Sequence, residues 1–512
     1  MGIRRPALST AVAAALIGTL GVPAAASAAS AASAAAGTSG TSGTSGTSGT
    51  SAKAGAVTVR EDFDGDGHQD VAVAAPGATV GGHVWAGYIT VSYGSAQGLD
   101  PARTTVITQD TPGVPGDSGD NQVFGYTLVA RDLDGDGLTD LAAVARGYRP
   151  DNNVSGSVIV LWGRTTGISG EGAVRVAAPA NAEVGDDLTA GDFDDDGHQD
   201  LFLRNGEDYD YHDVLYGPFT RSGAPAREQQ VQVYSTDNSI NSTAAGDFNG
   251  DGIEDLATFY VYENHAEGGK LWLGTRTGLS TVPQRLNSAS STAVADFDRD
   301  GYADLATRIF PGGDTEGTEE DFGTVKIYYG SASGPSQTRT QTITQNTAGV
   351  PGVNEKGDQF GGRLSAGDAN GDGYPDLAVG VPGEAIGTKK KAGAVVLLKG
   401  GGSGLTGRGA QAFHQDTAGV PGVAESGDVF GASIRLLDTT GDAKADLVAG
   451  APGENLDSVV NGGAVWLLRG AAGGLTATKS TARNPKDIGA PAAKALFGEN
   501  LSGDNGPGTV IP

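Results

Sequence analysis

The amino-acid sequence predicts an all-β fold, a seven-bladed β-propeller of four-stranded blades. Three observations lead there. One acidic motif of about ten residues recurs seven times along the chain. Each copy is flanked by short apolar runs of strand length, and the repeat region carries no convincing helical period. The intervals between copies fit one supersecondary unit with loops of variable length, the signature of a repeat architecture.

Composition agrees with many short strands and many turns. The chain has 512 residues, 84 of them glycine, with 6% aromatic and 19% charged residues. Its formal net charge of −27 argues against a nucleic-acid partner, because phosphate backbones are bound by Lys/Arg surfaces. With no cysteine there is no disulfide, cysteine nucleophile or thiolate metal site.

Taken from the N-terminus, "MGIRRPALSTAVAAALIGTLGVPAAASA" places Arg4 and Arg5 before an apolar stretch from Ala11 to Val22 and a small-residue site at Ala26-Ser27-Ala28. Residues 1–28 therefore read as a secretory signal peptide, and the protein is expected outside the cell. The apolar stretch is short for a membrane span and no second candidate follows, so no span is expected after cleavage. Residues 29–55 are, apart from Lys53, Ala, Ser, Thr and Gly, including "TSGTSGTSGTSGTS", and read as a flexible linker. Residues 56–512 form the repeat region.

The motif appears as "EDFDGDGHQD", "RDLDGDGLTD", "GDFDDDGHQD", "GDFNGDGIED", "ADFDRDGYAD", "GDANGDGYPD" and, decayed, "LDTTGDAKAD". After each comes a run such as "DLAVGVPGE" or "DLVAGAPGE", then a glycine-led β run such as "GYITVSYG" or "GAVWLLRG", then a weaker run. That makes about four strands per unit. Seven such units suggest a propeller, in which radial packing buries the inner strands and ring closure limits exposed edges; a linear solenoid is the structural alternative.

The repeated spacing is D-x-[DN]-x-D-G-x-x-D. Oxygens at positions 1, 3 and 5 can converge on one cation if the chain turns tightly, and glycine at position 6 permits the turn. The carbonyl of position 7 and the carboxylate of position 9 would complete a hard-oxygen shell, which indicates Ca2+. An EF-hand would need a glutamate at position 12 and flanking helices, but Val73 and Ala143 stand there in the first two loops. The candidate ligands in the first loop are Asp62, Asp64, Asp66, the His68 carbonyl and Asp70. The second offers Asp132, Asp134, Asp136, Leu138 and Asp140, and the third Asp192, Asp194, Asp196, His198 and Asp200. The fourth offers Asp247, Asn249, Asp251, Ile253 and Asp255, and the fifth Asp296, Asp298, Asp300, Tyr302 and Asp304. The sixth offers Asp368, Asn370, Asp372, Tyr374 and Asp376. The seventh has Asp438, Thr440, Asp442 and Asp446, with Ala443 in place of the glycine, and is expected to bind weakly or not at all. About six structural Ca2+ ions are expected. They would supply +12 against the −27 of the chain. Each loop supplies its own shell and leaves no evident open position for substrate.

These repeats resemble the FG-GAP family, the seven-bladed propeller of the integrin α-subunit head. The resemblance rests on Phe124-Gly125, Phe360-Gly361, Phe430-Gly431 and Phe497-Gly498, and on "GVPGE", "GAPGE" and "AAPGA". It covers residues 56–512, although repeats three to five keep mainly the metal loop and the third strand. It implies an adhesion or ligand-binding propeller whose metal loops join strands one and two on one face. Ligands would meet the opposite face, built from the 2–3 and 4–1 loops. The 4–1 connections "QDTPGVPGDSGDNQVFG", "QNTAGVPGVNEKGDQFG" and "QDTAGVPGVAESGDVFG" are near-copies and read as a shared structural loop. The 2–3 loops of repeats two to four are more individual, with Tyr148 and Arg149, then Tyr209 and Tyr211, then Tyr262 as candidate ligand contacts to a sugar or a basic peptide. Phe497-Gly498 opens a strand with no metal loop after it and is a candidate for closing the ring against the first blade.

The expected function is that of a secreted binding module for an extracellular protein or glycan, acting as a monomer. A secreted enzyme acting on polysaccharide or phospholipid is the alternative. Against it, the six histidines are scattered, G-x-S-x-G and H-E-x-x-H are absent, and metal loops claim most of the paired carboxylates.

Overall fold

The computed structural model of the chain describes residues 61–147, 156–177, 188–204, 211–233, 238–262, 265–310 and 321–503. The described residues form seven antiparallel sheets, each following chain order from strand to neighbouring strand. Blade 2, for example, runs through Phe124–Arg131, Asp140–Ala145, Ser157–Leu161 and Val174–Arg175. Blade 6 runs through Arg363–Gly367, Asp376–Val381, Ala394–Lys399 and Thr406–Phe413. The fold is the predicted seven-bladed β-propeller. Its one described helix is a short 3-10 turn at Pro485–Ile488, and none is long and apolar enough to cross a membrane.

Burial explains the grammar of each repeat. The second strands, such as Val71–Ala75, Asp376–Val381 and Asp446–Ala451, are buried throughout, because neighbouring blades cover both faces of their sheet. They therefore read as continuous apolar runs. The fourth strands alternate toward solvent, as in Arg227–Gln232, which explains their weak apolar signal. The core lies between blades: Phe63, Ile89 and Val91 of blade 1 share a cluster with Phe124, Leu128 and Ile159 of blade 2 and Leu188 and Leu201 of blade 3.

The FG pairs join one blade to the next. Phe124, Phe360 and Phe430 are fully buried and Phe497 nearly so. Their backbones lie against the glycine that opens the third strand of the preceding blade. At Gly393, φ is +87° and an added Cβ would stand 2.2 Å from the Phe430 carbonyl oxygen. Only glycine permits that approach, so the "glycine-led" run marks a docking point. In the same way Phe497 docks on Gly463 of blade 7.

Ring closure uses both ends of the described chain. Blade 1 has three strands of its own sequence: Val71–Ala75, Tyr88–Ser92 and Thr104–Ile107. Its innermost position is taken by the C-terminal segment. Gly498 N donates to Ala74 O (2.7 Å), Ala74 N to Asn500 O (3.0 Å) and Ser502 N to Ala72 O (2.9 Å). Leu501 opposes Val73, as Leu128 opposes Ala143 in blade 2. Further along the same edge Asp70 N donates to Glu61 O (2.6 Å), the place that Arg131 holds opposite Asp140. The innermost strand of blade 1 is thus spliced from residues 498–502 and Glu61, and Ser502 Oγ meets Glu61 Oε2 at 3.1 Å across the splice. Residues 54 and 55, at the FG position by count along the chain, lie outside the described residues.

Closure through this segment predicts that Phe497→Ala costs as much as a large core truncation, about 3–5 kcal/mol, in reversible denaturant unfolding. Phe124→Ala is the matched control inside blade 2. A loss below about 1 kcal/mol for Phe497→Ala would show that the segment does not close the ring.

Candidate metal centres

Each acidic loop is organised first by its own carboxylates. In the first loop the Asp62 carboxylate accepts from the amides of Gly65 (2.7 Å), Asp66 (3.2 Å) and Gly67 (2.9 Å). Asp66 Oδ1 accepts from His68 N (3.0 Å). The same turn recurs at Asp132, Asp247 and Asp368, and at Asp438 of the decayed copy, where Ala443 takes a left-handed φ of +63° in place of glycine.

The ninth-position aspartate has a second task that the spacing alone does not reveal. Both oxygens of Asp140 accept backbone amides, from Leu133 (2.8 Å) and from Gly163 just beyond the third strand (2.7 Å). Asp70, Asp200, Asp255 and Asp304 repeat this bridge. All of these ninth-position carboxylates are buried. Burial pushes Asp70 and Asp140 well above the usual carboxylate range, Asp200 up to about 8, and Asp255 and Asp304 up to about 7.

In four of the loops, three of the predicted carboxylates converge. Carboxylate oxygens of Asp62, Asp64 and Asp66 lie within 4.8 Å of one another, as do those of Asp132, Asp134 and Asp136, of Asp192, Asp194 and Asp200, and of Asp296, Asp298 and Asp300. These clusters could hold metal ions. Two side chains are consistent with this: Asp194 Oδ1 and Asp298 Oδ1 are buried and have no hydrogen-bond partner among the described residues. A buried anionic oxygen without a donor is costly, and a cation in the loop would satisfy it. The fourth and sixth loops keep the turn with asparagine, since Asn249 Oδ1 and Asn370 Oδ1 each accept from the amide two residues on (2.8 Å). In the seventh loop Lys444 lies 3.3 Å from Asp442 and Arg469 3.8 Å from Asp446.

Position-7 side chains serve the ring. Leu138 packs on Gly65 of the preceding loop, His198 on Gly135, Tyr302 on Gly250 and His68 on Gly441. Backbone bonds follow the same route: Thr139 N donates to Asp62 O (3.1 Å) and Gln69 N to Asp438 O (3.1 Å). The loops therefore form a continuous belt, closed by blade 1 against blade 7.

On the opposite face, Tyr148 and Tyr209 lie outside the described residues, as does the side chain of Tyr262. Tyr211 opens a strand opposite Gln232 and is half-buried. The near-copied 4–1 connections tie down the next blade: Gln345 Nε2 donates to Glu384 (2.7 Å) and Gln415 Nε2 to Glu454 (2.6 Å), which gives the glutamate of "VPGE" and "APGE" its role. Trp85, which the sequence reading did not single out, stands on this face with a φ of +57° and 37% exposure. Lys391 and Asn461 hold the corresponding positions in blades 6 and 7 with similar φ. A bulky aromatic is an uncommon choice for a left-handed position.

The bridge through the ninth-position aspartate requires a glycine after the third strand. At Gly163 a Cβ would stand 2.4 Å from the Thr139 carbonyl oxygen. Gly163→Ala is expected to cost about 1–3 kcal/mol in denaturant unfolding, although φ at that position is not left-handed; a neutral result would show that the bridge to Asp140 does not require glycine there.

Comparison with known proteins gives a family. The FG-GAP repeat model matches residues 52–92, 124–161, 360–398 and 430–468, and the FG-GAP-like repeat model matches 247–307. Phosphatidylinositol-glycan-specific phospholipase D of Rattus norvegicus is 28% identical over 215 residues, which is 41% of this chain and 24% of that protein. The Homo sapiens protein of the same name is 29% identical over 154 residues, 30% of this chain and 18% of that protein. The match thus spans about a quarter or less of these relatives. Among solved structures, a mutant of AofleA from Arthrobotrys oligospora aligns with 72% of this chain and 94% of its own, at 11% identity and a TM-score of 0.34. With repeat models matched in five segments and seven β-sheet blades in a ring, the chain is an FG-GAP repeat protein, an integrin α-like β-propeller.

Proposed function

We propose that this is a secreted, Ca2+-stabilised binding module that engages an extracellular protein or glycan on the face opposite its acidic loops. In this reading residues 1–28 direct export, residues 29–55 act as a spacer, and the propeller works as a monomer. Ca2+ in the first six loops would be held by the aspartates and asparagines at positions 1, 3, 5 and 9 and by the position-7 carbonyls. A bound ion would supply positive charge that fixes the turn.

The observation that carries the binding role is where apolar surface is exposed. Antiparallel strands put the 2–3 and 4–1 connections at the end away from the acidic loops. Among the described residues, Val84, Trp85, Phe322 and Val460 are exposed in 2–3 connections, and Val353 and Val423 in 4–1 connections. Only Val282, of the exposed large hydrophobics described, lies elsewhere. Exposed apolar side chains on one face are what a partner docking there would cover. A glycan array and an extracellular-matrix panel should give hits that Trp85→Ala weakens about tenfold while leaving the melting temperature unchanged. Binding that persists undiminished in Trp85→Ala and Tyr211→Ala would remove this face from consideration. The phospholipase D relatives support a second reading, an enzyme acting on phospholipid; release of product from a phosphatidylinositol-glycan substrate would favour it over the binding module.

The structural role of Ca2+ has its own test. A carboxyl whose folded pKa lies above its unfolded value favours the fold while protonated, and that contribution is lost as pH rises from about 4 through the raised values. In chelator the melting temperature should therefore fall between about pH 5 and pH 8, as Asp200, Asp255 and Asp304 are forced to ionise. Ca2+ favours the ionised carboxylates, so with the ion present the same interval should be flat or rising. At neutral pH chelation should lower the melting temperature by about 10 °C or more; an unchanged melting curve removes the reading.

A further inference from the structure

The third position of the acidic loop is matched by a residue 22 to 31 positions further along the chain. That residue immediately precedes the glycine after the third strand. Around the ring it is Tyr93, Trp162, Tyr216, Leu273, Tyr329, Lys399 and Arg469, while position 3 is Asp64, Asp134, Asp194, Asn249, Asp298, Asn370 and Thr440. The platform is aromatic in the four blades where position 3 is aspartate, and in none of the other three.

Each aromatic carries an arginine. The Arg103 guanidinium lies 4.6 Å from the Tyr93 ring centroid, Arg221 4.6 Å from Trp162, Arg227 3.2 Å from Tyr216 and Arg339 4.5 Å from Tyr329. The same guanidiniums pair with Oδ2 of Asp64, Asp134, Asp194 and Asp298 respectively. Three extend to position 5: Arg103 to Asp66 (3.5 Å), Arg221 to Asp136 (2.8 Å) and Arg339 to Asp300 (2.6 Å). The position-3 oxygen facing the loop is not taken by arginine; in Asp194 and Asp298 it is the buried Oδ1 without a partner.

Blade 2 shows that the pairing follows the aspartate and not local sequence grammar. Arg103 and Arg339 each lie ten residues after their own aromatic, and Arg227 eleven. At that place blade 2 has Gly172, and Arg221 crosses from blade 3 to cover Trp162 and reach Asp134. Blades 4 and 6, with asparagine at position 3, have Pro283 and Gly409 there. Four carboxylates and one guanidinium carry the same formal charge as the three carboxylates Asp247, Asp251 and Asp255 of the fourth loop.

We propose that Arg103, Arg221, Arg227 and Arg339 are built-in counter-cations: each neutralises the position-3 aspartate of its loop, holds the loop in shape when Ca2+ is absent, and brings its affinity toward that of the fourth loop, where asparagine stands at position 3. This rests on the Ca2+ reading above. The stacked guanidinium occupies the outer oxygen of position 3 and leaves the inner one for an ion. Removing it should therefore weaken the ion-free protein and tighten ion binding, two effects of opposite sign. An ordinary ion pair would lower stability in both states alike.

The test uses the full chain and thermal unfolding in chelator and in saturating CaCl2. Arg339→Gln should lower the melting temperature by about 3 °C or more in chelator and by less than about 1 °C with Ca2+. The Ca2+ concentration giving half of the thermal shift should fall about two- to threefold. Asp298→Asn added to Arg339→Gln copies the arrangement of the fourth loop and should restore the melting temperature in chelator. Arg103→Gln repeats the measurement at an independent loop. An equal penalty in both buffers, or no rescue by Asp298→Asn, overturns the proposal. Native mass spectrometry of the unsubstituted chain separates the two layers. Bound Ca2+ with an equal penalty overturns only the arginine role, whereas no bound Ca2+ overturns the Ca2+ reading and this proposal together.

Discussion

The propeller depends on one buried contact made again in blade after blade: a ninth-position aspartate carboxylate that accepts two backbone amides. In blade 2, Asp140 takes Leu133 N from the turn before it and Gly163 N from beyond the third strand. That single group ties the 1–2 turn to the far end of the next hairpin. It also places the position-2 side chain (Phe63, Leu133, Phe193, Phe248 or Phe297) in the interior, where each is fully buried. A carboxylate out of water is expensive unless its oxygens are satisfied. Hence the companion glycine recurs with it, because a side chain there would keep the amide from reaching the acid.

Radial closure follows from this local unit. With the turn held, the position-1 carbonyl is free to accept from the next blade, as Asp62 O does from Thr139 N and Asp438 O from Gln69 N. Position-7 side chains then cover the small position-4 residues of their neighbours. On the other face the FG phenylalanines dock on glycines of the preceding blade, so blades 1 and 2, 5 and 6, 6 and 7, and 7 and 1 are joined at both ends. A ring built this way has one seam, between blade 7 and blade 1. The chain closes it by supplying the inner strand of blade 1 from its C-terminal segment, with Glu61 completing the edge. The Glu61 carboxylate also receives Arg435 of blade 7 (2.9 Å to Nε), so the seam is held by charge as well as by backbone pairing.

Much of this was legible in the residues. A carboxylate at fixed intervals with glycine beside it can be read without a structure, because the turn geometry that demands it is local. The second and third strands were legible as apolar runs for the same reason. The arginines were not singled out, although the spacing from Tyr93 to Arg103 and from Tyr329 to Arg339 is visible. Their meaning depends on which carboxylate the guanidinium reaches, and for Arg221 that carboxylate belongs to another blade. Trp85 was missed because nothing in a linear reading distinguishes an exposed tryptophan from a core one. The tyrosines proposed in its place either sit at a strand start, as Tyr211 does, or have side chains outside the described residues.

By itself the sequence determined the architecture: the number of blades, the order of strands within them, and the convergence of positions 1, 3 and 5 in the first, second and fifth acidic loops. Those features arise from contacts within some ten to thirty residues, which periodicity can encode. Only the tertiary structure decided which segment completes blade 1, which arginine serves Asp134, and on which face exposed apolar side chains gather. Each of those is settled by residues far apart along the chain that packing brings together, and the spacing of one repeat holds no record of what its neighbour places beside it.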